Sequence, residues 1–211
     1  MAALITPVAM VALAKPAAAL AGDITTVAGL DSTNAFDGDG GPAASAHLDT
    51  PRGVSTDSHG NLLIADSFNN VVRVMAESPA NPGYPLAGTT PDCNPTCIWT
   101  VGDIFTVAGN GTAAYAGDGG AATAAELRQP GDVAADPGGN LIIADQVNAR
   151  VRIVAVSGSN PGYPLSGCVS TCTWTPGDIF SVCVCGLESM TRRNSPMHFR
   201  LDDGYSTAVA S

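Results

Sequence analysis

Basic residues are scarce in this sequence. Lysine and arginine together number 9, against 19 aspartate plus glutamate, so the formal net charge is -10. Proteins that bind nucleic acid draw most of their non-specific affinity from clustered cations. Because the chain has no such cluster, we expect no nucleic-acid partner.

Catalytic and metal-binding motifs are also missing. The chain has neither a G-x-S-x-G motif nor a plausible grouping of serine, histidine and aspartate. His47, His59 and His198 occupy unrelated positions of the repeat described below, and do not make a metal set. We therefore predict no catalytic residue and no cofactor.

No apolar run at the N-terminus is long enough to cross a bilayer. Residues 2–14 are apolar, no positive charge precedes them, and Ala19-Leu20-Ala21 before Gly22 has the A-x-A pattern of a signal-peptide cleavage site. We interpret residues 1–21 as an export leader, which places the mature chain outside the cytoplasm, secreted or at the cell surface, without membrane insertion. The alternative is a disordered or helical alanine-rich leader.

What the sequence does have is glycine, proline and a repeat. Its 24 glycines and 15 prolines follow no collagen period and indicate many turns between short strands. The segment DITTVAG, DIFTVAG or DIFSVCV begins at residues 23, 103 and 178. Between these points FDGDGGPAASAHL matches YAGDGGAATAAEL, GNLLIADSFNNVVRV matches GNLIIADQVNARVRI, and NPGYPL occurs twice. Two copies this similar define one structural unit.

Each copy contains four strand-sized runs rich in valine and isoleucine and bounded by turn residues. In the first copy the runs are 53–57, 62–66, 71–76 and 104–108; in the second they are 132–136, 141–145, 151–156 and 179–182. Four antiparallel strands per repeat are typical of a β-propeller blade. The predicted fold class is all-β, a partial propeller of four-stranded antiparallel blades.

The ordered pattern P-x-x-V-x-x-D-x-x-G-N-L-x-I-A-D-x-x-N-x-x-V-R-x-V, followed by D-I-x-T-V-A-G, resembles the NHL repeat, including the bacterial exported kind. NHL repeats form propellers, commonly six-bladed. The resemblance covers residues 22–182 and implies a closing strand at 23–29, blade one at 51–108 and blade two at 130–182. Within the repeat, the G-x-G-x-x-A match at 109–114 reads as a glycine-rich connection between blades. A dinucleotide-binding turn would need a following helix and a parallel strand.

The pattern fails after residue 182. Residues 183–211 read as a divergent or frameshifted tail that carries a vestigial start of a third blade. We therefore expect a fragment of a longer ring, of about two blades, whose open blade faces favour self-association. The alternative is a genuine, divergent C-terminal tail.

Three aspartates of the glycine-rich loop are weak candidates for binding a cation. Asp37 and Asp39, together with Asp118 of the second copy, could offer oxygen ligands to Ca²⁺. The loop lacks the remaining acids of a calcium-binding loop, so a plain turn is the alternative.

Four cysteines lie in equivalent insertions of the two copies. Cys93 with Cys97 and Cys168 with Cys172 form C-x-x-x-C pairs, which in an exported chain predict small disulfides. Closing so short a loop stabilises by roughly 2 kcal/mol. Zinc binding is the alternative, although no histidine is nearby.

Two aspartate–arginine pairs recur identically, Asp66 with Arg73 and Asp145 with Arg152. A functional interpretation would make them ligands on the propeller's top face. Because residues that serve every repeat are usually structural, we interpret them as turn-forming aspartates and blade-joining arginines.

These observations favour a non-catalytic binding or scaffold module of an exported NHL propeller, with an unknown protein or carbohydrate ligand. The insertions that carry NPGYPL and the cysteines are the predicted place for ligand contact. The alternative is part of a propeller enzyme of lyase or lactonase type whose active site is not present in this chain.

Overall fold

The computed structural model describes residues 22–31, 35–87, 98–166 and 173–182. These ranges form β-strands and two three-residue 3-10 helices. The strands are β1 Gly41–Pro42, β2 Pro51–Thr56, β3 Leu62–Asp66, β4 Val71–Met75, β5 Asp103–Ala108, β6 Gly120–Ala121, β7 Asp132–Ala135, β8 Leu141–Asp145, β9 Arg150–Val154, β10 Leu165–Ser166 and β11 Asp178–Val182; the 3-10 helices are Ala43–Ser45 and Ala122–Ala124.

The strands form two antiparallel sheets, one for each repeat. The first has the order β1-β5-β4-β3-β2, and the second has the order β10-β11-β9-β8-β7 with β6 also paired to β11. Strands β2 to β5 are blade one, and β7, β8, β9 and β11 are blade two. The structure confirms the predicted all-β partial propeller, and the strands fall within a few residues of the predicted runs.

Tight turns join the first two strands of each blade, as the sequence predicts. The Gly60 amide donates to the Asp57 carbonyl at 3.1 Å, and the Gly139 amide donates to the Asp136 carbonyl at 2.9 Å. Both glycines have a φ of 85°, a left-handed conformation in which a side chain would be strained.

The main hydrophobic core lies between the two blades. We call the side of a blade that meets the preceding repeat its leading face, and the opposite side its trailing face. The trailing face of blade one contributes Leu63, Val72, Val74, Phe105 and Val107, and the leading face of blade two contributes Leu127, Val133, Leu141 and Ile143. All of these are buried, and each such side chain contributes about 1.5–3 kcal/mol. This interface therefore holds the two blades together.

Polar contacts reinforce the same seam. Three side chains of blade one bond to backbone groups of the segment that leads into blade two. Ser55 Oγ donates to the Val133 carbonyl at 2.7 Å, Ser67 Oγ donates to the Pro130 carbonyl, and Asn70 Oδ1 accepts from the Gln129 amide at 3.1 Å. Gly53 is needed here, because a Cβ at this position would lie 2.6 Å from the Asp132 Cα.

Residues 23–29 do not form the expected closing strand. Their counterpart 80 residues later, β5, is a strand because it pairs with β4 in blade one. The described residues contain no such neighbour for 23–29, so the segment forms no ladder. It is anchored at its end, where the Gly29 amide donates to the Ala43 carbonyl at 2.9 Å.

The G-x-G-x-x-A segment that begins at Gly109 leads into β6 and a three-residue 3-10 helix, as expected of a connection between blades. In the part of the chain that the structure describes, no helix has the length and apolar character required to span a membrane.

Candidate functional site

A buried arginine ties the glycine-rich loop to blade one. Arg73 is fully buried, and its Nη2 donates to Asp39 Oδ1 at 2.6 Å, while its Nη1 lies 3.9 Å from Asp66 Oδ2. The same guanidinium donates to the carbonyls of His47 at 3.1 Å and Asp37 at 2.8 Å. The buried charge is thus compensated by two carboxylates and two carbonyls, as a buried ion pair requires.

The second repeat has the same arrangement. Arg152 Nη2 and Nε donate to Asp118 Oδ1 at 2.6 and 3.1 Å, and Nη1 lies 3.9 Å from Asp145 Oδ2. Its carbonyl partners are Glu126 at 2.9 Å and Ala116 at 3.0 Å. We call each set of one arginine and two aspartates an acid–arginine cluster. Each cluster fastens the connection that enters a blade onto that blade.

The strand-end aspartates also hold turns. Asp66 Oδ1 accepts from the Asp49 amide at 2.7 Å, and Asp145 Oδ1 accepts from the Arg128 amide at 2.8 Å. Burial raises the pKa of Asp66, although hydrogen bonds and the Arg73 charge oppose it. Burial likewise raises the pKa of Asp145. Each of these aspartates therefore holds a turn and also lies beside its arginine.

Each candidate cation ligand is bonded to another side chain. Asp39 and Asp118 face arginines, whereas Asp37 bonds to the His47 ring, with Oδ1 2.8 Å from Nδ1. That hydrogen bond lowers the pKa of Asp37. Among the described residues, no group of three or more histidine, cysteine, aspartate or glutamate side chains is arranged to hold a metal ion. A pocket of about 370 Å³, lined by Asp37, residues 38–41 and Ser45, opens beside this loop.

One residue distinguishes the two acid–arginine clusters. In repeat two the Tyr115 hydroxyl donates to Asp118 Oδ2 at 2.6 Å and lies 3.3 Å from Ser181 Oγ. Phe36 occupies the matching place in repeat one, with its ring 5.4 Å from the Arg73 guanidinium carbon. Among the described residues, the buried side-chain nitrogen and oxygen atoms with no hydrogen-bond partner lie in this first cluster or beside it. They are Asp39 Oδ2, Arg73 Nε and Thr106 Oγ1.

The insertion between β4 and β5 packs onto blade one. The Tyr84 hydroxyl donates to Asp57 Oδ2 at 2.8 Å, and Trp99 Nε1 donates to the Ser78 carbonyl at 2.9 Å. The Trp99 ring stacks on Phe105 with centroids 5.3 Å apart. Burial and the bond to Asp57 raise the pKa of Tyr84. The NPGYPL tyrosine is therefore used internally.

Repeat two forms the same pair of contacts, and we call each tyrosine and tryptophan pair a tyrosine–tryptophan bracket. The Tyr163 hydroxyl donates to Asp136 Oδ2 at 3.0 Å, and Trp174 Nε1 donates to the Ser157 carbonyl at 2.7 Å. The Trp174 ring stacks on Phe180 with centroids 5.5 Å apart. Burial, together with Asp136, raises the pKa of Tyr163 to about 12. The predicted disulfides, Cys93 with Cys97 and Cys168 with Cys172, lie outside the described residues.

Two sets of contacts were not predicted from the sequence, although each joins residues at the same spacing in both repeats. The aspartate of the GDGG loop precedes its arginine by 34 residues in both repeats. The bracket tyrosine follows its aspartate by 27 residues in both repeats. A repeat that keeps both residue types at one spacing indicates contact, and this signal was available in the sequence.

Two comparisons with known proteins agree with the geometry. A family model described as "NHL repeat" matches residues 127–154, which span β7 to β9. Human Teneurin-1 is 30% identical over 113 residues, which is 51% of this chain and 4% of that protein. The chain thus spans only a small part of this relative's length. Residues 127–154 match the NHL repeat, and the described residues form part of a β-propeller.

Proposed function

We propose that this chain is a non-catalytic protein-binding module of an exported NHL propeller. One observation carries the proposal: the ionisable residues that recur in both repeats are occupied by internal bonds. The arginines hold connections between blades, and the bracket tyrosines hold the insertions. NHL repeats commonly mediate protein interactions, which supports a protein as the ligand.

The binding surface is the GDGG-loop side of repeat one. The pocket of about 370 Å³ lies there, and the exposed carboxylates of Asp37 and Asp31 flank it through His47. Phe36 and Leu30 are exposed on the same connection. Acidic groups beside exposed apolar side chains suit a basic protein segment, and the net charge of -10 favours such a partner at long range.

A cross-linking experiment tests this function. The full chain, expressed with its own leader, is cross-linked in the extracellular fraction, and partner peptides are mapped by mass spectrometry. We expect partner cross-links at residues 35–47, and their loss in Asp37→Lys, with circular dichroism checking that the variant stays folded. Glu77→Lys, at an exposed acidic residue outside the pocket, is the matched control. Turnover of lactone or peptide substrates by the chain, with no partner captured, would instead favour the enzyme alternative.

Export is tested separately. If residues 1–21 are a leader, N-terminal sequencing of the extracellular protein begins at Gly22. Retention of the intact chain inside the cell would contradict export, without bearing on protein binding.

A further inference from the structure

Blade one leaves part of its leading face exposed. A pocket of about 210 Å³ on this face is lined by apolar side chains that include Val54, Leu62 and Ile64. Val54 is 60% exposed, whereas its repeat equivalent, Val133, is 1% exposed in the core between the blades. Leu48 is half-buried, and its equivalent Leu127 is fully buried in that core. The residue types that join blade two to blade one are therefore also present on blade one, where they meet Ala28 and its neighbours and no preceding blade of the described chain.

Blade two likewise leaves part of its trailing face exposed. Val151 is 44% exposed, whereas its equivalent Val72 is fully buried in the core between the blades. Ile142 and Ala144 are half-buried, and their equivalents Leu63 and Ala65 are fully buried there. The described chain thus presents both halves of the junction that it forms once internally.

We propose that the leading face of blade one binds the trailing face of blade two of a second copy of this chain. The contact is head-to-tail and resembles the internal junction, except that Asp132 of blade two stands where Gly53 allows the close approach in the internal seam. Because heterologous contacts generate rings when the rotation closes, the product is a ring of about two to four chains, since propellers contain about four to eight blades.

Segment 23–29 moves aside in this assembly. Val27 and Ala28 border the leading face, at the place where the outer strand β11 of the second copy would lie. Residues 22–27 are exposed and belong to no strand. Thr25 also stands where β5 and β11 carry Phe105 and Phe180, the rings that stack on tryptophan. Segment 23–29 is therefore less suited than β11 to form the outer strand of the second copy's blade two.

The intermolecular junction is weaker than the internal one. Ser55 and Asn70 bond across the internal seam, but their equivalents in blade two are Ala134 and Ala149, which cannot make these bonds. The net charge of -10 per chain also opposes association at low salt. We therefore expect association in the micromolar range that strengthens as salt is added.

Sedimentation velocity on the full chain tests the proposal with complementary variants. Val54→Asp removes one half of the junction and Val151→Asp removes the other. Each side chain is already substantially exposed, so each variant should remain folded. Each should be monomeric alone, and an equimolar mixture should give a dimer, because one variant keeps its trailing face and the other its leading face. Val101→Asp, 52% exposed and outside both faces, is the control and should associate like the wild type.

A gain-of-association variant separates loss of contact from loss of folding. Ala134→Ser with Ala149→Asn copies the two polar contacts of the internal seam, and should lower the dissociation constant by about tenfold. A monomeric wild-type chain throughout the micromolar range would overturn the proposal, as would association abolished by Val54→Asp but unchanged by Val151→Asp. Unchanged affinity in the double variant would likewise contradict a junction built like the internal one.

Discussion

The substitution Phe36→Tyr should stabilise the protein, because it adds the hydroxyl that repeat two already has. Tyr115 donates to Asp118 Oδ2 at 2.6 Å and lies 3.3 Å from Ser181 Oγ. The corresponding atoms in repeat one are Asp39 Oδ2 and Thr106 Oγ1. Both are buried and have no partner among the described residues. A tyrosine at position 36 would supply one donor where the structure lacks it.

The size of the gain follows from the charge of the acceptor. A hydrogen bond to a charged group contributes about 1.5–3 kcal/mol, and an unsatisfied buried acceptor costs about 1–3 kcal/mol. Because the ring at position 36 is partly exposed, we expect the lower part of this range, about 1–2 kcal/mol. Strain is small, since Phe36 and Tyr115 lie 5.4 and 5.3 Å from their arginines. The melting temperature should rise by about 2–8 °C.

Thermal and urea unfolding followed by circular dichroism measure this gain. The reciprocal Tyr115→Phe should lose less free energy than Phe36→Tyr gains, because Ser181 also donates a hydrogen bond to the Asp118 carboxylate. Phe68→Tyr is the matched control: its ring is similarly exposed, it packs 5.9 Å from the Arg52 guanidinium carbon, and it should be neutral. If Phe36→Tyr is neutral or destabilising while Tyr115→Phe destabilises, the two clusters are not equivalent and the reasoning is wrong.

Three further changes test the other contacts. Tyr84→Phe should cost about 1.5–3 kcal/mol at pH 7, because it removes a hydrogen bond to a carboxylate. Burial raises the pKa of Asp57, but its hydrogen bonds outweigh burial and lower it. This stabilisation is therefore present above the unfolded pKa, near 3.9, and is lost as pH falls through the folded pKa. Gly53→Ala should cost about 1–3 kcal/mol by forcing the blades apart. Arg73→Met should cost about 3–5 kcal/mol, because it leaves two buried carboxylates without their cation.

Each of these changes has a control elsewhere in the chain, measured by urea unfolding. Tyr163→Phe removes the longer and more exposed version of the tyrosine bond and should cost less than Tyr84→Phe. Gly158→Ala adds a Cβ in open space and should be neutral. Arg150→Met removes an exposed arginine and should cost less than about 1 kcal/mol. Equal effects in any pair would contradict the corresponding role.

The strands were predictable because their signals are local. Valine and isoleucine runs bounded by glycine and aspartate identify β3 and β8, and the turns at 57–60 and 136–139 follow from their residues. Segment 23–29 has the same local signal but no ladder, because a strand also needs a neighbour. Local pattern gives the tendency to extend, and pairing decides whether a strand forms.

The clusters were only partly predictable, because their members are far apart in the chain. Asp66 and Arg73 are close in sequence and recur together, so the sequence indicates the pair directly. The shorter contact of Arg73 is to Asp39, 34 residues earlier, which required the fold to bring the loop over the blade. Asp39 therefore looked like a candidate cation ligand, although the cation beside it is the guanidinium.

Differences between the repeats carry more information about function than the residues they share. Shared residues such as the cluster arginines do the same structural work twice. Ser55 and Asn70 differ from Ala134 and Ala149 because only the first pair has a seam to hold among the described residues. Val54 and Val133 are the same residue type, yet one is exposed and the other buried. The two blades are thus alike in how they fold and unlike in what they contact, so their contacts with other molecules should depend on the faces where they differ.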